Sequence, residues 1–187
     1  MVSGLVLDQV TGLPVPNATL FLGELEYGTY SVSGKTIAQT VSDGAGRYSF
    51  DFTGTKGKDY AIIGKANHYF DTESITDYKL KEVEKSVTLN ISLKPIATIK
   101  IHVKKTDMSY DSLIFSSSFG NGSGTYQSTF GKHVDTNLLY SHLVAGVNKD
   151  IYIYVEKYSA QTLISGTSYT NTIYLMPVDT TYINLNY

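Results

Sequence analysis

The 187-residue chain contains no cysteine, which excludes disulfide scaffolds, thiolate metal sites and cysteine nucleophiles. Tryptophan is absent as well, which counts modestly against a dedicated carbohydrate module. No apolar run approaches the roughly 20 residues that a membrane-spanning helix requires. Positive charge is not in surplus: 15 Lys and Arg face 17 Asp and Glu, leaving a net charge of −2, and the basic residues are scattered. With no basic stripe to neutralise a phosphate backbone, nucleic acid is not an expected partner. Helical periodicity is also scarce. Only residues 76–87, TDYKLKEVEKSV, place Tyr78, Leu80 and Val83 roughly on one helical face, and that segment reads equally well as extended chain.

What the chain does contain is tyrosine, 16 residues of it, among abundant Thr, Ser and Gly. Tyrosine suits half-buried strand surfaces, with the ring against neighbours and the hydroxyl in water. Period-two alternation recurs from end to end. SGLVL puts Leu5 and Leu7 on one face, ATLFLG puts Leu20 and Leu22 together, and RYSFDF aligns Tyr48, Phe50 and Phe52. VTLNISL aligns Val87, Leu89, Ile91 and Leu93, and ATIKIHV, DIYIYVE, NTIYLM and TYINL follow the same rule. Short runs rich in β-branched and aromatic residues, parted by Gly, Asn, Asp or Pro, predict an all-β chain of the sandwich type.

One alternating run ends at Leu93, Pro95 interrupts it, and the next begins at Ile96. A proline cannot donate to a ladder, so the reading divides the chain into two tandem modules, residues 1–95 and 96–187. The long stretch SSSFGNGSGTYQSTFG reads as a surface loop. Asp43-Gly44-Ala45-Gly46 lies between two strand-like runs and reads as a hairpin turn. A calcium loop would need further acidic ligands and a closing glutamate. The nearby Gly34-Lys35-Thr36 is not a phosphate loop: five residues separate Gly28 from Gly34, the pattern requires four, and no helix follows.

The first module resembles a known family. VSGLVLDQVTGLPVPNATLFL, TVSDGAGRYSFDF, YAIIGKANHYF and LNISLKP are similar to the carboxypeptidase regulatory-like domain, a transthyretin-like β-sandwich related in shape to the Cna-B modules of surface adhesins. The positions that match are Gly4, Asp8, Thr11-Gly12, Pro14, Ala18, Thr40, Asp43, Gly46, Tyr48, Phe50, Tyr60 and Tyr69, spread over residues 2–95. His68 departs from it, standing where the family usually has glycine before the aromatic. The resemblance implies a fold whose matched residues are turns and core aromatics, without the zinc chemistry of the separate catalytic domain. It also implies an exported protein of a Gram-negative bacterium, in the periplasm or at the outer membrane or cell surface, in a family whose members are often lipoproteins or outer-membrane receptors. Separately, the strand-like start VSGLVLD straight after Met1 suggests that Met1 replaces a removed signal. The second module carries no named signature and reads as an immunoglobulin-like sandwich.

Chemistry is hard to find. His68, His102, His133 and His142 stand far apart, none at the three- or four-residue spacing of helix-borne ligands. No Gly-x-Ser-x-Gly elbow occurs. Glu24/Glu26 and Glu82/Glu84 read as solvated charges rather than a hydrolytic pair. An intramolecular Lys–Asn cross-link could draw on Lys100, Glu156 and Asn184 or Asn186. All of these alternate with apolar neighbours, however, and so fall on polar faces; no cross-link is expected.

One feature remains. Tyr152, Tyr154 and Tyr158 share phase with Glu156, opposite Ile151, Ile153 and Val155, and Tyr182 shares phase with Asn184 and Asn186. Exposed tyrosines beside amides and carboxylates suit a sugar-stacking face, a protein contact, or simple cross-strand stabilisation. The reading is of a non-enzymatic, cofactor-free surface or periplasmic protein presenting β-sandwich modules to a protein partner. The alternative is glycan binding by Tyr152, Tyr154, Glu156, Tyr158 and Tyr182.

Overall fold

A computed structural model of the protein describes residues 1–29, 31–72, 78–80, 86–104, 106, 112–119, 123–131 and 133–186. These residues form fifteen strands and no helix, so the expected all-β class holds. Two compact units result, Met1–Ile96 and Ala97–Tyr187.

The first unit contains β1 (Val2–Asp8), β2 (Thr19–Tyr27), β3 (Val32–Val41), β4 (Arg47–Phe50), β5 (Tyr60–Lys65), β6 (Lys79–Leu80), β7 (Val87–Thr88) and β8 (Ile91–Leu93). One sheet runs β4-β1-β7, with β8 also paired to β1, and the other runs β3-β2-β5-β6. Their apolar faces meet in one core that includes Val2, Val6, Leu20, Leu22, Tyr48, Phe50, Ile62 and Ile91. Burying each of the larger aliphatic side chains contributes on the order of 2 kcal/mol. Leu5 and Leu7 do share a face, but it is the half-buried one; Val2, Val6 and Asp8 take the core side. Within residues 76–87, Lys79–Leu80 and Val87–Thr88 are strand, while 76, 77 and 81–85 lie outside the described residues.

VTLNISL divides into two strands for a local reason. At the break, the Asn90 side-chain oxygen accepts the Leu5 N–H at 3.0 Å, taking a rung that a backbone carbonyl would otherwise hold. The Leu89 carbonyl accepts the Tyr48 hydroxyl at 2.5 Å, and a Cβ on Gly4 would collide with that same carbonyl. Burial pushes the Tyr48 hydroxyl to a higher pKa.

The DGAG segment is a turn but not a hairpin. β3 pairs with β2 and β4 with β1, so the turn carries the chain from one sheet to the other. Oδ1 of Asp43 accepts the Ala45 and Arg47 N–H groups at 2.9 and 2.8 Å, which ties that oxygen to the backbone of the turn. Gly46 has φ 72°, with Val6 and Pro14 close enough to exclude a side chain. Just before it, buried Ser42 donates to the Val15 carbonyl and accepts from Ala18 N, at 2.8 and 2.9 Å.

The second unit contains β9 (Ile96–Lys104), β10 (Ser112–Phe119), β11 (Ser123–Phe130), β12 (Asp135–Val144), β13 (Asn148–Ser159), β14 (Thr162–Tyr174) and β15 (Thr180–Asn186). They form a three-stranded sheet, β12-β9-β15, and a four-stranded sheet, β11-β10-β13-β14. Ile99, Ile101 and Val103 of β9 and Ile151, Ile153 and Val155 of β13 share one core. The stretch expected to be a surface loop is instead the β10–β11 hairpin. Its Gly and Asn residues gather at 120–124, and on either side the Ser, Thr and aromatic residues are acceptable strand formers. Residues 120–122 lie outside the described set. β13 and β14 are joined by Ala160 and Gln161, both left-handed at φ 46° and 67°. That is the two-residue hairpin geometry usually built from Asn-Gly.

Candidate functional site: an outward tyrosine face

Along β13 the alternation is clean. Ile151, Ile153 and Val155 are buried, whereas Tyr152 and Tyr154 are 46% and 42% exposed on the opposite face. Register places Tyr152 between Ser118 of β10 and Thr170 of β14, and Tyr154 between Ser116 and Ser168. The face is therefore built of phenol rings flanked by small hydroxyl side chains. Together these six residues line a shallow groove of about 180 Å³. The Tyr154 hydroxyl lies where a Cβ of Gly166 would stand, so Gly166 gives that ring room to lie along the sheet.

Carboxylates at this face are already engaged. Glu156 accepts the Tyr158 hydroxyl at 3.0 Å, and this hydrogen bond is the main reason the Tyr158 pKa is raised. Asp150 accepts the Thr172 hydroxyl at 2.6 Å. A second open depression, about 510 Å³, lies beside Tyr158, Ile114, Ala160 and Gln161.

Of the five residues singled out in the sequence, the structure brings Tyr152, Tyr154, Glu156 and Tyr158 onto one face and leaves Tyr182 elsewhere. Tyr182 lies on β15, in the three-stranded sheet, 68% exposed, with the Lys100 ammonium 5.8 Å from its ring centre. Sequence phase reports which side of its own strand a residue occupies; it does not report which sheet the strand joins. Lys100 thus faces outward over a phenol, and Asn184 pairs in register with His102.

One pair was not anticipated. His102 Nε2 and Asp135 Oδ1 are 2.6 Å apart, with Lys104 Nζ 3.7 Å from the other oxygen. His102 holds the Asp135 carboxyl below its ordinary pKa, assisted by Lys104. The pair ties the start of β12 to β9, and no spacing rule could have revealed a contact across 33 residues of β-structure. Among the described residues, no group of three or more His, Asp or Glu is placed to hold a metal ion.

A larger pocket, about 590 Å³, opens in the first unit beside Val15, Asn17, Lys65, Asn67 and Tyr69. Its reactive groups are already in use: Lys65 pairs with Asp71 at 2.5 Å, and the Tyr69 hydroxyl donates to Asp8 at 2.9 Å. The tyrosine face, with free ring surfaces, is the better candidate.

No family model matches the chain, and no curated protein matches it. Among solved structures it is similar to a streptococcal ancillary pilin, at 17% identity and TM-score 0.39, over 99% of this chain and 61% of the pilin. The chain thus spans about three-fifths of that pilin's length. It is also similar to the shaft pilin SpaA from Lactobacillus rhamnosus GG (7% identity, TM-score 0.32, 99% of this chain and 96% of the pilin). The fimbrial anchor protein Mfa2 from Porphyromonas gingivalis shows 12% identity and TM-score 0.37, over 89% of this chain and 80% of that protein.

Proposed function

We propose that this chain is a non-catalytic structural and interaction protein, exported to the bacterial surface or periplasm, that presents its β-sandwich units to a protein partner. In this reading the first unit is a carboxypeptidase regulatory-like module and the second an immunoglobulin-like one. The observation that carries it is the outward face of the four-stranded sheet. Two exposed tyrosines lie among serines and threonines there, and the carboxylates Asp150 and Glu156 are tied to neighbouring hydroxyls. The tyrosines and the lack of free charge are what support it, since protein interfaces are enriched in aromatic residues and depleted of charge at the centre. The first test is location in the native cell. Labelling by an impermeant reagent, before a cytoplasmic marker is labelled, supports export; labelling only after lysis contradicts it.

A second reading, glycan binding, is favoured by one specific feature. The Tyr154 ring lies along the sheet over Gly166, beside the hydroxyls of Ser116 and Ser168. A sugar could stack on such a ring and hydrogen-bond at its rim.

A further inference from the structure

We infer that β14 is a self-association edge: two copies of this chain pair antiparallel through Ser165–Asn171, about a two-fold axis at Ser168. This goes beyond the partner reading and does not depend on it.

β14 is the longest strand among the described residues, 13 residues, and stands at the end of the order β11-β10-β13-β14. One side of its backbone is paired with β13 along the whole length. The other side has no strand neighbour among the described residues. Exposed edges of this kind are normally blunted by a charge, a proline or a short length. TLISGTSYTNTIY has neither a charged residue nor a proline. Its one irregularity is a register shift between Lys157 and Tyr158 opposite Ile164, which leaves Ser165 onward regular.

The side chains along the edge are also exposed. Thr162–Thr172 are all exposed, including Thr167, Tyr169 and Asn171, which are in register with the buried Val155, Ile153 and Ile151. Among the described residues, the three-stranded sheet therefore does not cover Thr162–Thr172; only Ile173, near the end of β14, packs against the shared core.

The occupant follows from residue type. In an antiparallel self-pairing centred on Ser168, residue numbers sum to a constant, so Thr167 meets Tyr169, Gly166 meets Thr170 and Ser165 meets Asn171. Each match joins residues of the same face. They are a β-branched residue against an aromatic, glycine against threonine, and hydroxyl against amide, all compatible with cross-strand pairing. A two-fold axis sets some residue against itself, and a charge there would repel; Ser168 is neutral. Seven paired residues exceed the length of a typical strand, at about 24 Å. The product is a continuous eight-stranded sheet with the two tyrosine faces on the same side.

Because these 187 residues contain no cysteine, Ser168→Cys gives a clean test. Across the axis the two Cα atoms would be about 4.5–5.5 Å apart, within disulfide reach. Under mild oxidation S168C should convert to a covalent dimer at least roughly tenfold faster than S141C, whose cysteine lies on the other sheet. Uncross-linked wild type should sediment toward twice 20.6 kDa as concentration rises. Ser168→Lys and Ser168→Glu should each stay monomeric with wild-type circular dichroism, and mixing the two should restore the dimer. Equal cross-linking of S168C and S141C, or a wild type that stays monomeric throughout, overturns the proposal. The second result would be expected if a strand from a different protein occupied the edge.

Discussion

The Tyr69 hydroxyl donates to Oδ2 of Asp8 at 2.9 Å, closing a contact between residues 61 positions apart. The other oxygen of Asp8 accepts the Val10 and Thr11 N–H groups, both at 2.8 Å. One carboxylate thus shapes the turn after β1 and anchors the segment after β5. Removing it in Asp8→Ala strands three donors, two of them on backbone, and should cost about 3 kcal/mol, read as a lowered urea midpoint at unchanged slope.

The same pair sets a pH dependence. Burial, then the Asp8 hydrogen bond and charge, push the Tyr69 pKa from 10.0 up to about 12. A group whose folded pKa is raised contributes stability that is complete below its unfolded value and disappears as pH rises through the folded one. Stability should therefore fall between pH 10 and 12. Tyr69→Phe cannot ionise there, so its stability should change less over that window, with Tyr48 present in both proteins. Equal slopes in the two proteins would show that the Tyr69 proton is not linked to folding.

Gly4 is a packing requirement. A methyl at this position meets the Leu89 carbonyl, which already receives the Tyr48 hydroxyl. Gly4→Ala should destabilise by about 3 kcal/mol. Tyr48→Phe, which loses only the hydrogen bond, should cost about 1 kcal/mol. Thermal or urea denaturation of both variants checks the order.

How much of this was legible beforehand depended on the length scale. Alternation placed Leu20, Leu22, Tyr48, Phe50, Ile91 and Ile99 in cores because strand phase is a local property. It also placed Tyr152 and Tyr154 outward. It could not distinguish a hairpin from a turn between sheets at Asp43, since both use the same turn residues. The β10–β11 hairpin was hidden by its glycine-rich tip. The β13–β14 hairpin had no signal at all, because Ala-Gln is a poor turn sequence. Tyr182, His102 and Asp135 depended on which strands become neighbours, and strand phase does not carry that information.

The same strained backbone offers stabilising changes. Ala160 and Gln161 are left-handed, as is His68 at φ 64°. A non-glycine residue there costs about 1–2 kcal/mol. Replacing Ala160-Gln161 by Asn-Gly should raise stability by about 1–2 kcal/mol, and His68→Gly by up to about 1 kcal/mol. Melting temperatures of the variants measure both.

If the glycan reading holds, the ring of Tyr154 matters through its placement as well as its presence. Binding to a panel of polysaccharides should be lost in Tyr152→Ala/Tyr154→Ala. It should also weaken in Gly166→Ala, where the new methyl displaces the Tyr154 hydroxyl while leaving the residue in place. Binding that survives both variants would put the sugar elsewhere; no binding by wild type removes this reading.

The most direct measurement of the account is site-specific photo-cross-linking in the native cell, with the photoreactive residue at Tyr152 and a control at Asn137 on the other sheet. A discrete product is expected from position 152, absent from 137, whose mass is not a multiple of this chain's own. Products only at multiples of its own mass, or the same products from both positions, would contradict the claim that this face meets a protein partner.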